Sequence, residues 1–470
     1  MADVQPAAGV RFDAEAQVAI IGGGACGLVA ALKARAAGAE VVVLERDDSP
    51  AGSTAMSSGF IPAPGTRFQR ALGINDTPAR FEADIQAKAR GRAERVPART
   101  AARTIGPVLE WLADAHGLDW IVLDDFLYPG HSRQRMHAVP EKTGAALLAR
   151  LLAAAGAAGA DLATGAHVTT LYAETDGRIA GIAIERPDGG AERLGCRALV
   201  LACNGYGANP ELVAGHIPEM ARAPYFGHQG NTGDALLWGQ ALGAATGCLG
   251  ACQGHGSLAH PHGVLITWAL MMEGGIQVNT GGLRFSNEHD GYSEQSVAVL
   301  AQPGAVAWCL FDERLRDFAR GFPDFRDAEA AGAILSGSDA GELAAVTHLP
   351  PRAVGETLAR AADLQAGRGA DPFGRDFTAK PALAPPYFAV RVTGALFHTQ
   401  GGLMIDQTAA VRRAAGDTFP NLFAGGGAAC GVSGPDLAGY LSGNGLLTAV
   451  AFGALAGAGA ARRAQTKARG

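Results

Sequence analysis

Apolar runs, a glycine turn and a helical stretch alternate near the start of the chain, and this order predicts a β–α–β unit. Residues 17–21 (QVAII) form a short apolar run that leads directly into GGGACG. A helical stretch, LVAALKARAAG, follows, and a second apolar run, AEVVVLE, ends at Glu45. A strand, a glycine turn, a helix and a strand within ~30 residues are typical of a dinucleotide-binding fingerprint.

The glycines of this turn have separate roles in such a unit. Gly22 permits the tight turn, Gly24 lets the backbone approach a pyrophosphate at the helix N-terminus, and Gly27 lets helix and strand pack closely. Glu45 lies where a carboxylate can accept hydrogen bonds from an adenosine ribose and would repel a 2′-phosphate. The pattern therefore disfavours NADP. A glycine turn in an unrelated α/β fold is the alternative interpretation.

Two further glycine-rich segments bear on the choice of dinucleotide. Residues 52–59 (GSTAMSSG) follow the second strand, and residues 419–431 (FPNLFAGGGAACG) lie near the other end of the chain. Hydroxyls and amides in these places suit a long cofactor that runs from a ribose through a pyrophosphate to a ring system. An NAD site rarely needs backbone from both ends of a chain, whereas an extended FAD site commonly does. The segments therefore favour FAD.

Length and composition bound the class of protein. The chain has 470 residues, which is too long for one hydrophobic core, since single cores stop growing near ~250–300 residues. We therefore expect two domains. Glycine is abundant, with 66 residues, but it shows no collagen-like period. The 45 acidic residues outnumber the 39 basic ones, giving a net charge of −6, which argues against a nucleic-acid binder because such proteins need a basic face.

Cysteine use and the apolar stretches indicate the compartment. The seven cysteines are scattered without a CxxC pair, so we expect reduced thiols, a cytoplasmic protein and no zinc site. The N-terminal 17 residues carry acidic side chains and no apolar run, unlike a signal peptide. Residues 443–461 have low charge but are mostly glycine and alanine. A helix packed on a sheet or a cofactor explains them better than lipid does, so stable membrane insertion is not expected.

Several motifs together resemble the fumarate reductase/succinate dehydrogenase flavoprotein superfamily, and within it the 3-ketosteroid dehydrogenase-like ketone desaturases. VAIIGGGACGLVAA looks like the FAD fingerprint, and GSTAMSSGFIPAPGT looks like the G-S-x-x-S-x-G segment. ALVLACNGYGANPEL, GNTGDALLWGQALGA and GGIQVNTGGLRFSNE are similar to later segments of the family. PPYFAVRVTGALFHTQGGLMID and NLFAGGGAACG complete the resemblance, which runs almost end to end.

The resemblance implies an α/β fold: a Rossmann-like FAD-binding domain built from both termini, with an inserted α+β cap domain for the substrate. We place the first part of the FAD domain at residues 1–252, the cap at 253–381 and the second part at 382–470. The charged, helical pattern of residues 324–375 differs from the glycine-rich flanks and agrees with such an insertion.

The resemblance also implies noncovalent FAD, because no H-H or H-x-S signature for a covalent flavin link is present. One departure is at Gly427, where the family's A-A-G-E segment ends in glycine, so the acid that usually meets the flavin ribityl or ribose is missing. The residues expected to contact the cofactor are Gly22, Gly24, Ala25, Cys26, Gly27, Glu45, Arg46, Ser53, Thr54, Ser58, Gly59, Val168, Ala202, Asn204, Gly205, Asp234, Gly402, Gly426, Gly443, Asn444, Leu446 and Leu447.

Tyr292 is the first candidate for a catalytic base. In fumarate reductases, an arginine a few residues after R-F-x-N-E delivers a proton, whereas the ketosteroid dehydrogenases have a proton-abstracting tyrosine at this spacing. Here the run that begins at Arg284 reads RFSNEHDGY and ends at Tyr292. A phenol is a weak base near neutral pH unless its neighbours favour the phenolate. A tyrosine in a loop without a catalytic role is the alternative.

Tyr440 stands where the fumarate reductases carry the first residue of R-L-G-G-N-A, an arginine that clamps a carboxylate. Loss of a guanidinium removes the planar fork that recognises carboxylates. A tyrosine hydroxyl can instead donate to a ketone oxygen, and the backbone amides of Gly443 and Asn444 are further candidate donors at a helix N-terminus.

Other candidate site residues carry weaker signals. His398 lies in FHTQGG, which looks like the H-T-x-G-G of the fumarate reductases, and a structural histidine is the alternative. Tyr128 is a candidate active-site tyrosine on no firm motif. The cluster of His255, His260 and His262 invites a metal site, but no acidic or thiolate partner falls at ligand spacing, so none is expected.

The resemblance implies α,β-dehydrogenation of a ketone, either a 3-ketosteroid or a smaller cyclohexanone-type substrate. The alternatives are the reverse reaction, reduction of an enone or enoate, and a flavoprotein that binds FAD without turnover. A carboxylated cyclic ketone would fit if Arg67 or Arg135 lined the pocket. The electron acceptor would be separate: a quinone, a dye, oxygen or an electron-transfer protein.

Overall fold

The structure is a computed structural model, and it describes residues 2–125 and 127–466. Its residues divide into two compact units. The first unit takes in the chain up to Pro218, Gly227–Cys252 and the chain from His398 onward, and the second takes in Glu219–Phe226 and Gln253–Phe397. Segments from both ends of the chain therefore belong to the first unit.

Helices and strands alternate along most of the chain. The helices are α1 (Ala25–Ala36), α2 (Ser53–Met56), α3 (Arg67–Ala71), α4 (Pro78–Lys88), α5 (Arg95–His116), α6 (Gly144–Ala157), α7 (Pro210–His216), α8 (Asp234–Ala241), α9 (Ala269–Met272), α10 (Tyr292–Leu300), α11 (Glu313–Ala319), α12 (Pro323–Ala330), α13 (Ala340–Thr347), α14 (Pro351–Gln365) and α15 (Asn444–Gln465). The strands are β1 (Asp3–Pro6), β2 (Ala14–Ile21), β3 (Val41–Leu44), β4 (Ile61–Pro62), β5 (Ile121–Val122), β6 (Met136–Ala138), β7 (Asp161–Ala163), β8 (His167–Ala173), β9 (Ile179–Glu185), β10 (Ala191–Leu201), β11 (Thr246–Gly247), β12 (Cys252–Ala259), β13 (Val264–Leu265), β14 (Ile276–Val278), β15 (Val306–Asp312), β16 (Ile334–Gly337), β17 (Tyr387–Thr399), β18 (Gly402–Leu403), β19 (Ala410–Arg412) and β20 (Thr418–Ala424).

The predicted β–α–β unit is present as β2, α1 and β3, and it lies in the main sheet of the first unit. The strand order is β1-β8-β9-β10-β2-β3-β7, and β20 pairs with β10. Strands β3, β2, β10 and β20 run parallel to one another. Their carboxyl ends therefore meet at one edge of the sheet, which is where dinucleotides bind in doubly wound folds.

The C-terminal helix α15 packs against α1. A Cβ atom at Gly453 would collide with the Cys26 carbonyl oxygen, and one at Gly457 would collide with the Ala30 carbonyl oxygen. Only glycine lets the two backbones approach so closely. Among the described residues α15 is the one helix long and apolar enough to cross a membrane, and 72% of its most apolar window is buried in the protein. Packing against α1 accounts for its small, apolar composition.

The second unit is built on a separate sheet with the order β13-β12-β17-β15-β14, in which β16 also pairs with β17. Helices α13 and α14, and α12 apart from its first residue, fall within residues 324–375, the charged stretch from which helices were expected. The unit extends to Phe397, beyond the cap boundary at residue 381 drawn from the sequence. The physical reason is that β17 pairs with both β15 and β16, so most of this long strand belongs to the second sheet.

Candidate active site

The glycine loop after β2 has the geometry that a phosphate-binding turn requires. Gly22 has a φ of +110°, in the region that favours glycine, and a Cβ at Gly27 would collide with the Gly22 carbonyl oxygen. Gly24 is the N-cap of α1 and provides no side-chain cap. The N-terminal amides of α1 are therefore not capped by the preceding side chain, and they carry the partial positive charge that attracts an anion.

Glu45 closes this loop from the end of β3. Its carboxylate accepts from the Gly23 N–H at 2.8 Å and from the Asp47 N–H at 3.1 Å. The next residue, Arg46, donates to the carboxylate of Asp234 at 3.3 Å. Residues far apart in sequence, from the segment just after β3 and from the first turn of α8, are thus brought together beside the glycine loop.

The remaining predicted cofactor residues are distributed around the same edge of the sheet. Thr54 accepts from the Ala25 N–H at 3.0 Å, so α2 touches the first turn of α1. Gly22 lies against Ala202, because a Cβ at Gly22 would be 2.5 Å from the Ala202 carbonyl oxygen. The others lie as follows: Ser53, Ser58 and Gly59 in or just after α2, Val168 in β8, Asn204 and Gly205 just after β10, Gly402 in β18, Gly426 just after β20, and Gly443, Asn444, Leu446 and Leu447 at the start of α15.

The predicted cofactor residues differ in how far their side chains are exposed. Ser58 is exposed, whereas Val168, Leu446 and Leu447 are buried. Burial raises the pKa of the Cys26 thiol to about 12, so this cysteine is protonated and unreactive at neutral pH.

The arrangement fits an extended dinucleotide. Gly24, Asn204 and Gly427 are half-buried, so this edge of the sheet keeps some exposure to solvent. The Asn444 Oδ1 atom at the start of α15 is buried and has no partner among the described residues. A buried carboxamide oxygen without a donor is costly. A bound group with a hydrogen-bond donor near this helix would satisfy it, and the pyrimidine part of an isoalloxazine carries one.

His398 lies at one end of a chain of polar side chains in the first unit. Its Nδ1 atom is 3.0 Å from the amide nitrogen of Gln400, and the carboxamide oxygen of Gln400 accepts from the Ser433 hydroxyl at 3.1 Å. Ser433 in turn accepts from the Asn444 amide at 3.0 Å. Burial lowers the pKa of His398 to about 4. The imidazole is therefore neutral at physiological pH and its ring orientation is set by Gln400.

Tyr440 lies beside this histidine. The two rings meet edge to face with their centroids 5.8 Å apart. Tyr440 is 5% exposed. Of the two backbone amides expected near it, that of Asn444 already donates to the Leu441 carbonyl at 3.0 Å, which leaves the Gly443 amide as the candidate donor.

The segment that carries Tyr128 packs against the same turn. His131 Nε2 is 3.0 Å from the Ser442 carbonyl oxygen, and a Cβ at Gly130 would lie 2.7 Å from a Leu441 methyl group. The His131 N–H also donates to the Tyr128 carbonyl. Tyr128 and Tyr440, more than 300 positions apart, therefore lie in neighbouring segments of the first unit.

Arg67 and Arg135, the arginines considered for a carboxylate, are both engaged elsewhere. Arg135 is fully buried and pairs with Asp76 at 2.8 Å and with Asp84 at 2.5 Å. Arg67 is more exposed and forms a two-pronged pair with Asp114. Neither guanidinium is held ready for a substrate carboxylate.

Tyr292 belongs to the second unit, where it is the first residue of α10 and 8% exposed. Its ring stacks on the imidazole of His255 with a centroid separation of 4.8 Å and an interplanar angle of 22°. His255 stacks on Phe397 on a centroid distance of 5.3 Å and meets Trp268 edge to face. Tyr292 is thus part of a buried aromatic group rather than a solvent-exposed loop residue.

The residues near Tyr292 include a neutral histidine and a carboxylate that is fixed by two ion pairs. Burial lowers the pKa of His255 to about 3, so this histidine is uncharged at physiological pH. The segment before α10 is anchored by Glu288, which is fully buried and pairs with Arg284 at 2.7 Å and Arg375 at 3.0 Å. Burial alone would raise the pKa of Glu288, but the Arg284 hydrogen bond and the Arg375 charge lower it.

Sequence reasoning missed several residues of these networks. Gln400, Ser433 and His131 carry no chemical motif, and their roles follow only from contacts between distant segments. His255 was considered only as a metal ligand. Within residues 2–125 and 127–466 no group of three or more metal-ligating side chains comes together. His255 is instead an aromatic neighbour of Tyr292.

The fold and the glycine loop define a dinucleotide-binding protein, and comparison with known proteins identifies the family. Residues 17–446 match the family described as FAD binding domain, and the chain belongs to that family. Its cofactor is FAD.

The relatives include both reductases and dehydrogenases. The chain is 29% identical over 454 residues to a probable fumarate reductase, Ifc3, of Shewanella frigidimarina (strain NCIMB 400), covering 96% of this chain and 76% of that protein. It is 26% identical over 512 residues to a 4-oxocyclohexanecarboxylate 2-dehydrogenase of Sinomonas cyclohexanicum, covering 87% of each.

A solved structure agrees with this assignment. The 3-ketosteroid-delta4-(5alpha)-dehydrogenase of Rhodococcus jostii RHA1, in complex with 4-androstene-3,17-dione, superposes with a TM-score of 0.77 at 25% identity, over 98% of this chain and 100% of that one. The protein is an FAD-dependent oxidoreductase of the fumarate reductase and ketosteroid dehydrogenase family. The expected fold and cofactor are thereby confirmed, while the individual site residues stay predictions.

Proposed function

We propose that the protein catalyses the α,β-dehydrogenation of a neutral cyclic ketone. The observation that carries the proposal is the setting of Tyr292: a buried phenol at the first residue of α10, stacked on a neutral imidazole. The dehydrogenase relatives act, by their names, on a cyclic oxo acid and on a 3-ketosteroid, which supports a cyclic ketone as the substrate; the preference for a neutral one rests on Tyr440 and on the paired arginines.

Tyr292 removes the proton from the carbon next to the carbonyl group. The N-terminus of α10 carries a partial positive charge, and this favours the phenolate form of a tyrosine that begins the helix. The ion pairs of Glu288 hold the chain segment before Tyr292 in place. A general base has to be positioned within hydrogen-bond reach of the proton that it takes, so this anchoring is part of the proposed mechanism.

Tyr440 donates a hydrogen bond to the carbonyl oxygen of the substrate, assisted by the Gly443 amide. Negative charge grows on that oxygen as the proton leaves, so a donor fixed in advance stabilises the transition state more than the ground state. The edge contact with neutral His398 and the Gln400–Ser433–Asn444 chain restrain this region. FAD, when bound, supplies the two-electron acceptance that removal of the β-hydrogen requires.

The electrostatics of the first unit favour an uncharged substrate. A guanidinium that binds a carboxylate has to present its planar fork to it, but Arg135 is committed to the buried Asp76 and the half-buried Asp84, and Arg67 to Asp114. With a tyrosine at position 440, neutral 3-ketosteroids and cyclohexanone-type ketones fit better than carboxylates. The reduced enzyme would return its electrons to a separate acceptor: a quinone, a dye, oxygen or an electron-transfer protein.

The test is an anaerobic titration of the purified yellow holoenzyme, followed by flavin absorbance. Bleaching by 3-ketosteroids or by cyclohexanone-type ketones, with formation of the enone, is the expected result. A 4-oxocyclohexanecarboxylate serves as the charged comparison and should bleach the flavin less. No bleaching by any of these ketones, in a protein that retains FAD, would refute the proposal.

The second candidate is the reverse reaction, and similarity to a probable fumarate reductase favours it. Reduction of an enone would use Tyr292 as the proton donor, since the steps are reversible. Reoxidation of the dithionite-reduced enzyme by an enone, without bleaching by the ketone, would establish this direction. Failure of both reactions would favour a flavoprotein that binds FAD without turnover.

A further inference from the structure

The hydroxyl group of Ser53 accepts hydrogen bonds from two carboxamides. Asn204 Nδ2 donates to Ser53 Oγ at 2.7 Å, and Asn231 Nδ2 donates to the same oxygen at 3.0 Å. We infer that Asn204 is a cofactor-positioning residue: together with Asn231, it fixes the Ser53 hydroxyl as a hydrogen-bond donor to an anionic oxygen of FAD. The Asn204 side chain occupies the space that a side chain at position 427 would need.

The orientation of Asn204 follows from its own backbone contacts. The residue has a φ of +66°, a left-handed conformation that asparagine tolerates better than most residues. Its Oδ1 atom accepts from the Gly205 N–H at 2.9 Å. Because the carbonyl end of the carboxamide is held by Gly205, the amide end has to face Ser53.

A hydroxyl group has two lone pairs and one hydrogen. With both lone pairs of Ser53 occupied by carboxamide N–H groups, its remaining hydrogen-bonding capacity is donation. No acceptor for this hydrogen is found among the described residues. A hydroxyl group held in this way can bind a ligand only through a hydrogen-bond acceptor, and a negatively charged oxygen forms the strongest such hydrogen bond.

The position of Ser53 points to the pyrophosphate of FAD as that acceptor. The next residue, Thr54, accepts from the first N–H group of α1, and a Cβ at Gly24 would lie 3.3 Å from the Thr54 hydroxyl. Ser53 is therefore next to the glycine loop and the helix N-terminus, where anionic groups bind. The inference concerns FAD binding alone and does not depend on which ketone is the substrate.

Gly427 explains why a carboxamide has room at this place. A Cβ at Gly427 would collide with Asn204 Oδ1 and would lie 3.2 Å from Asn204 Cγ. The φ of Gly427 is not in the left-handed region, so the requirement for glycine comes from its neighbours: mainly from the Asn204 side chain, and to a smaller extent from the Gly205 backbone nitrogen, which would lie 3.0 Å from the Cβ. Positions 204 and 427 are therefore coupled: the side chain at one excludes a side chain at the other.

The first test is Asn204→Asp, which keeps the size of the side chain and its tolerance of a positive φ. The second carboxylate oxygen would accept from Ser53 instead of donating to it, and the added charge would repel the pyrophosphate. We expect FAD to dissociate from the holoenzyme about 10- to 100-fold more readily, measured by flavin fluorescence on dilution. Asn75→Asp, the same charge change at an exposed asparagine, is the control and should bind FAD as the unaltered protein does.

The second test is a double-mutant cycle between Asn204→Gly and Gly427→Ala. Gly427→Ala alone should weaken FAD binding about tenfold, because the new methyl group displaces the carboxamide from Ser53. In the Asn204→Gly background the same change should have a much smaller effect, since contacting residues are not additive. Thermal unfolding of each variant reports whether it is folded.

Two results would overturn the inference. One is FAD affinity within twofold of the unaltered protein for a folded Asn204→Asp variant. The other is an equal effect of Gly427→Ala in both backgrounds, which would show that the two positions are independent. The cycle still decides the question if Asn204→Asp does not fold.

Discussion

Replacement of Tyr292 by phenylalanine separates the chemical role of this residue from its packing. The ring of Tyr292 stacks on His255 at 4.8 Å and meets Trp268 edge to face. Phenylalanine has the same ring, so these contacts remain and no cavity forms. The substitution removes the hydroxyl group and nothing else, which makes it the sharpest test of the proposed base.

The substitution should affect turnover far more than the stability of the fold. Positioned acid–base groups contribute about 10²–10⁴-fold to rate, so turnover of a cyclic ketone should fall at least about 100-fold, or about 2.7 kcal/mol in the barrier at about 1.36 kcal/mol per decade. Loss of one hydroxyl should change the free energy of unfolding by only about 0.5–1.5 kcal/mol. FAD binding should be unchanged, because the cofactor residues predicted here lie in the first unit.

The assay is the single-turnover rate of flavin bleaching by a saturating ketone under anaerobic conditions, with the FAD content and the unfolding midpoint measured on the same preparation. Tyr387→Phe is the matched control: it removes a phenol hydroxyl from β17 of the same unit and should leave the bleaching rate within about twofold. A Tyr292→Phe variant that bleaches at the original rate would refute the assignment of the base.

Three further outcomes are expected. Tyr440→Phe should lower kcat/KM for a ketone about 10- to 100-fold without loss of FAD, since it removes the proposed donor to the carbonyl oxygen; unchanged steady-state kinetics would rule that donor out. Glu288→Gln should lower the free energy of unfolding by about 3–5 kcal/mol in a denaturant titration, because Arg375 stays buried without its paired carboxylate, and a loss below about 1 kcal/mol would contradict this. Burial lowers the pKa of His255 to about 3 and of His398 to about 4, from 6.5, so both stay neutral in the folded protein while the unfolded chain binds protons. The free energy of unfolding should therefore be highest above pH 6.5 and should fall as the pH drops toward 4, by up to about 1.4 kcal/mol per pH unit for each of the two histidines. His255→Phe should flatten the slope of the unfolding midpoint against pH. An unchanged slope would mean that His255 is not held neutral.

Local sequence was sufficient for the β–α–β unit and its glycine loop. The apolar run before Gly22 and the run that ends at Glu45 are short, and each predicts a strand. A Cβ at Gly27 would collide with the Gly22 carbonyl oxygen of the turn itself. Such constraints act between neighbours in the chain, so they are visible in the order of the residues. The family resemblance then predicted the cofactor, and it singled out Tyr292 and Tyr440 as candidate site residues.

Tertiary structure decided which distant residues act on one another. Asn204 and Gly427 look unrelated in sequence, and only the pairing of β10 with β20 places one side chain in the space of the other. Nothing in the local sequence indicates that Arg135 is paired, but in the folded protein it forms ion pairs with Asp76 and Asp84. His255 gains its neutrality from burial and its contact with Tyr292 from the packing of β12 and α10. Packing, burial and charge pairing depend on contacts across hundreds of residues, and local propensity carries no information about them.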